Sequence, residues 1–132
     1  MYPQYQLYLF TEKLSSDKEN LIPMNCDSRC VDSTIINRAY YSSYLYALEW
    51  LEDQHNFKLK MSFEFMHNEQ VISEHKQVIN ALKKHDLKCG NRLSEIKKLR
   101  NISDYKPYEK ISSKEVEVSV EYMEYIFNNL RF

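Results

Sequence analysis

Residues 28–55 read Ser-Arg-Cys-Val-Asp-Ser-Thr-Ile-Ile-Asn-Arg-Ala-Tyr-Tyr-Ser-Ser-Tyr-Leu-Tyr-Ala-Leu-Glu-Trp-Leu-Glu-Asp-Gln-His, without a glycine or a proline. Ile36, Tyr40, Ser43, Ala47 and Leu51 recur at steps of three and four, the period of one helix face. The stretch therefore predicts a long amphipathic helix. It carries Trp50 and four tyrosines, whose rings supply much of the buried area of a small core.

Working outward, residues 4–14 predict a short helix, although the alternation at its start also suits a strand. A polar, irregular connection is expected from Ser15 to about Cys26, with Pro23 as a break. Beyond the long helix, a loop at Asn56–Ser62 leads to Val71, His75, Val78 and Leu82, whose spacing predicts a helix from about Asn68 to Lys84. Cys89-Gly90-Asn91 reads as a stop and a turn, with Gly90 free to take positive φ at a helix end. Leu93, Ile96 and Leu99 open another helix that should end before Pro107, because the residue preceding a proline avoids the α region. The last segment is ambiguous: residues 115–121 alternate like a surface strand, yet Val116, Val120, Met123, Phe127 and Leu130 keep a helical period further. Ser112 and Glu115 match a capping box, and a helix is expected.

The composition agrees. Hydrophobic residues make up 43% and charged residues 28% of 132 residues, with one glycine and three prolines. That profile suits a globular protein and disfavours an all-β fold, which needs many tight turns. The expected architecture is all-α, an antiparallel bundle of four to five helices in a single domain over 1–132, with its core at about 28–130. No basic segment followed by an apolar run marks a signal peptide, and no apolar run approaches the roughly 20 residues of a membrane span. Three cysteines, an odd number, fit a reducing compartment, so a cytoplasmic protein with no membrane association is expected.

The near-neutral net charge hides an asymmetry. Residues 1–54 carry four basic and eight acidic side chains, whereas residues 82–110 carry nine basic and four acidic ones. A basic segment of this kind can face phosphates or can simply be a solvated helix face.

Several chemistries are excluded. A single glycine leaves no phosphate-cradling loop and no dinucleotide fingerprint. Cys26 and Cys30 share the spacing of His85 and Cys89, and together they could make a three-Cys, one-His zinc site. The stretch between Cys26 and Cys30 lacks the tight turn of a zinc knuckle, so no metal and no cofactor are expected. Two polar clusters remain. Arg-Ala-Tyr-Tyr-Ser-Ser-Tyr at residues 38–44 puts Arg38 beside Tyr41 on an aromatic face. Leu-Arg-Asn-Ile-Ser-Asp-Tyr at residues 99–105 puts Arg100 four residues before Asp104, which could also be no more than a helix-stabilising pair.

In that order, and on two helices, these clusters resemble the HEPN superfamily over about residues 28–130. The resemblance implies a bundle, a homodimer and, in many members, metal-independent RNA cleavage in toxin–antitoxin or anti-phage systems. Arg100 falls on the family's signature arginine, Asn101 on its polar neighbour and Tyr105 on its histidine. Arg100, Asn101, Asp104 and Tyr105 are then the expected catalytic group, with Arg38, Lys97 and Tyr41 contacting RNA and its phosphates. The Arg-x-x-x-Asp-Tyr form recurs in one branch of the family. A tyrosine with its ordinary pKa near 10 is a poor general base at neutral pH.

Three arrangements follow. Tyr105 could orient RNA while Arg100 stabilises the phosphate. A histidine from elsewhere, such as His75 or His85, could enter the site. Or the domain could only bind RNA, a nucleotide or a partner protein, the last as a subunit working with an antitoxin, a nucleotidyltransferase or another defence protein. A purely structural bundle is the plainest alternative.

Overall fold

The computed structural model describes residues 3–21, 28–60, 72–106 and 108–132. These residues form six helices and no strand: α1 (Pro3–Ser16), α2 (Lys18–Leu21), α3 (Ser28–His55), α4 (Glu74–His85), α5 (Leu87–Tyr105) and α6 (Ser113–Asn129). The helical bundle expected from the pattern is present, and α3 is its axis, packing against α1, α4, α5 and α6.

The periodic positions of α3 explain this placement. Ile35, Ile36, Ala39, Tyr40, Ala47 and Leu51 are completely buried, meeting Val78 and Leu82 of α4, Leu93 and Ile96 of α5, and Met123 and Ile126 of α6 in one core. Each large side chain buried in this way contributes about 1.5–3 kcal/mol relative to exposure. Because α3 buries residues around much of its circumference, it can serve several neighbours at once.

The local signals sort by how local they are. The last segment is a helix, and its capping box forms: Ser112 Oγ accepts from Glu115 N at 3.1 Å while Glu115 Oε1 accepts from Ser112 N at 3.0 Å. α5 stops at Tyr105, as expected upstream of Pro107. Within the connection expected to be irregular, Lys18–Leu21 form the single-turn α2, which an ion pair from Lys18 to Asp32 ties to α3. Pro23, Cys26 and residues 62–71 lie outside the described residues. The second predicted helix begins at Glu74, where Ser73 Oγ accepts from Lys76 N.

The expectation for Gly90 is overturned. Gly90 lies inside α5, is buried, and has no positive φ. The break falls at Asp86, a single extended residue that ends α4 and caps α5 by accepting from Cys89 N at 3.0 Å. An aspartate supplies the acceptor that the first turn of a helix lacks, so it restarts the helix at once. What Gly90 provides is close approach. A Cβ there would lie 2.5 Å from Lys83 Cγ and 2.8 Å from its Cα, so α4 and α5 fold back on each other only with no side chain at this position.

Candidate functional site

Tyr40 and Tyr41 of α3 and Arg100 and Asp104 of α5 come together where α4 begins. Arg100 is one turn beyond buried Ile96, so its side chain lies at the α3–α5 seam and is only 14% exposed. Its Nη2 donates to Tyr41 Oη at 2.9 Å, and its guanidinium lies 5.2, 5.5 and 5.8 Å from the ring centres of Tyr41, Tyr105 and Tyr40. Electron-rich ring faces and a hydroxyl thus hold the cation in place.

Asp104 completes this shell. Arg100 Nε lies 2.9 Å from Asp104 Oδ2. Its N–H, however, is not aimed at that oxygen and finds no other hydrogen-bond acceptor among the described residues. The contact is therefore ionic and lacks the directional strength of a charge-assisted hydrogen bond. The same Oδ2 accepts from Asn37 Nδ2 at 3.0 Å, which anchors the carboxylate to α3.

The histidine in this region comes from α4. His75 stands in the first turn, half-buried, with Nδ1 2.6 Å from Tyr40 Oη. Its ring stacks on Tyr44 at 4.4 Å and meets Tyr41 edge-on at 6.1 Å. His75 and Arg100 therefore flank the same pair of rings, Tyr40 and Tyr41. Burial, and then the positive charges of Lys97 and Arg100, hold the imidazole below its ordinary pKa of 6.5. The positive end of the α4 dipole acts in the same direction. His75 is thus neutral at neutral pH. Burial raises the hydroxyl pKa of Tyr40, and that of Tyr44 to about 12, so both rings stay protonated.

The remaining candidates are dispersed around this centre. Lys97 is half-buried one turn before Arg100, and burial together with Arg100 and Lys76 pushes its ammonium pKa down. Asn101 is exposed and lines a groove between α4 and α5. Tyr105 is 69% exposed and meets Arg100 with its ring. Arg38 is exposed on α3; the contact to the Arg100–Asp104 pair comes instead from its neighbour Asn37. Tyr41, expected beside Arg38, accepts from Arg100 with its hydroxyl oxygen instead.

Sequence reasoning passed over Asn37 and left His75 as one of two histidines. One signal for His75 was available: it belongs to the stripe with Val78 and Leu82, which marks it as facing inward. His85 is ten residues further, about 15 Å along the helix axis, and stacks on His55 at 3.7 Å. For the zinc pattern, Cys89 is buried with its thiol pushed up to about 12 by that burial, and Cys30 is exposed. Cys26 lies outside the described residues, among which no group of three metal-binding side chains gathers. No helix among them is long and apolar enough to cross a membrane.

The chain is 39% identical over 79 residues to an uncharacterized protein of Methanocaldococcus jannaschii, a stretch covering 54% of this chain and 48% of that protein. This chain thus spans about half the length of the curated relative it matches. No protein-family model and no solved structure matches it.

Proposed function

We propose that this protein is a HEPN-like, metal-independent endoribonuclease, a toxin-type effector of toxin–antitoxin or anti-phage defence that works in the cytoplasm as a homodimer. The observation that carries the reading is the meeting of His75 with Arg100 across Tyr40 and Tyr41. The resemblance of residues 99–105 to the HEPN signature supports it.

In this reading the RNA 2′-hydroxyl attacks the adjacent phosphorus, forming the 2′-O–P bond and breaking the P–5′-O bond. The tautomer this requires is the one in which His75 donates Nδ1–H to Tyr40 Oη, so that Nε2 is bare and takes the 2′-hydroxyl proton. The departing 5′ oxygen takes a proton from solvent. Arg100 stabilises the charge that grows on the phosphoryl oxygens. Its weak hold on Asp104 lets a phosphate replace the carboxylate, and Tyr41 keeps the guanidinium aimed. Asp104 and Asn101 position, Lys97 and Arg38 attract the backbone, and Tyr105 offers an exposed ring on which an unpaired base can stack.

A second reading has an observation of its own. Arg100 is already engaged by Tyr41 and Asp104. That closed arrangement suits a non-catalytic module acting as a subunit with a nucleotidyltransferase or other defence protein. The deciding experiment is cleavage of varied RNAs by purified protein in excess EDTA, beside Arg100→Ala and His75→Ala. Cleavage by the wild type that both substitutions abolish supports the nuclease. No cleavage by the wild type on any RNA transfers the conclusion to the module.

A further inference from the structure

The groove that Asn101 lines runs away from His75 and Arg100 along the α4–α5 hairpin. α4 contributes Lys76, Ile79, Asn80 and Lys83; α5 contributes Ser94, Lys97, Lys98 and Asn101, around a cavity of about 320 Å³. Ile79 is buried and forms the floor. Lys76 and Lys97 stand at the end next to the candidate site, each beside one of its residues in sequence or one turn away. Lys83 and Ser94 stand at the other end, about 10 Å further along α4 at 1.5 Å per residue.

The lining chemistry is selective. It holds four lysines, two amides and a hydroxyl, and neither a carboxylate nor an aromatic ring. Lys98 pairs at its outer edge with Glu95, 3.0 Å away. The lysines of the inner end repel one another: Arg100 and Lys76 both disfavour the charge on half-buried Lys97. Such crowding is relieved by an anion. The absence of a ring from the lining leaves nothing for a base to stack on, while amides and a hydroxyl suit sugar and phosphate oxygens. Gly90 belongs to the same device, since its missing Cβ is what lets Lys83 lie across α5.

We infer that the α4–α5 groove is a sequence-independent track for the sugar–phosphate backbone of single-stranded RNA, seating the phosphates that flank the cleaved one. This rests on the nuclease reading and extends it: sequence preference comes from the aromatic side around Tyr105, and affinity comes from the lysines.

The test uses a labelled 2′-O-methyl oligoribonucleotide, which lacks the attacking hydroxyl, so that binding is read without cleavage. Affinity is measured against salt for wild type, Lys76→Gln/Lys83→Gln and Lys13→Gln. Each backbone contact to a single strand contributes about 0.7 to the slope of log K against log salt. The double variant is expected to lower the slope by about 1.4, and Lys13→Gln, on the far helix α1, to leave it unchanged. An equal slope in the double variant and wild type overturns the track, even where wild type cleaves RNA. Displacement of the RNA by polyglutamate at matched charge also overturns it, in favour of an acidic protein partner. A lysine-dependent slope in a protein that never cleaves unmodified RNA keeps the track and removes the nuclease.

Discussion

Two arginines lie against the same pair of helices and are used in opposite ways. Arg29, at the start of α3, directs Nε to Glu109 O at 3.2 Å and Nη2 to Ser103 O and Lys106 O at 3.3 and 3.2 Å, while Nη1 bonds Ser33 Oγ. Three of those acceptors are backbone carbonyls at and just beyond the end of α5, where helical partners run out. Arg100, also on the α3–α5 seam, is held by a hydroxyl, by ring faces and by an off-axis carboxylate. Backbone carbonyls cannot turn away, so Arg29 is a fixed splint. Side chains can move aside, which is what the role proposed for Arg100 requires. Counting arginines does not separate the two roles, but tracing their donors does.

The largest effect that can break this contrast is on turnover. Arg100→Ala should lower RNA cleavage by about 10²–10³-fold and His75→Ala by about 10²–10⁴-fold. Arg29→Ala should leave the rate of the folded fraction near that of the wild type. If Arg29→Ala and Arg100→Ala lose activity equally while both stay folded, the contrast fails. On stability the order reverses. Removing Arg29 strips three carbonyls of a charged donor and should lower the unfolding free energy by about 2–3 kcal/mol in urea titration. Gly90→Ala should cost about 1–3 kcal/mol by forcing α4 from α5 at Lys83, and wild-type stability there would show that the helices part without strain.

The smallest effect is on pH. In the proposed mechanism the base form of His75 is the competent one, so cleavage should rise with pH through a midpoint below 6.5. Lys97→Gln removes one of the positive charges and should move that midpoint upward, toward 6.5. A midpoint that ignores Lys97 would show that another group is the base. Stability follows the same sign: the folded pKa of His75 is depressed, so its contribution is complete above 6.5 and is lost as pH falls from there through the folded value.

Legibility tracks locality. The stripe from Ile36 to Leu51, the Ser112–Glu115 box and the Arg100–Asp104 pair all rest on steps of three or four residues, and each took the form its pattern implies. Gly90 was misread because its role depends on Lys83 across a reversal of the chain, while its sequence context looked like an ordinary stop. Asn37 and Arg29 passed unnoticed because their partners lie 67 and 74–80 positions away.

By itself, the chain's residue order determined that helices form, where α3 and α6 begin and end, where α5 stops, and which arginine stands beside an aspartate. Helix period, caps and proline boundaries are properties of short stretches, so they survive without knowledge of the rest. Only the tertiary structure decided that His75 rather than His85 packs on the tyrosines beside Arg100, that Asn37 rather than Arg38 holds Asp104, and that the lysines of α4 and α5 line one groove. Those outcomes depend on how each helix is rotated and packed against α3, which is set by the whole buried core together.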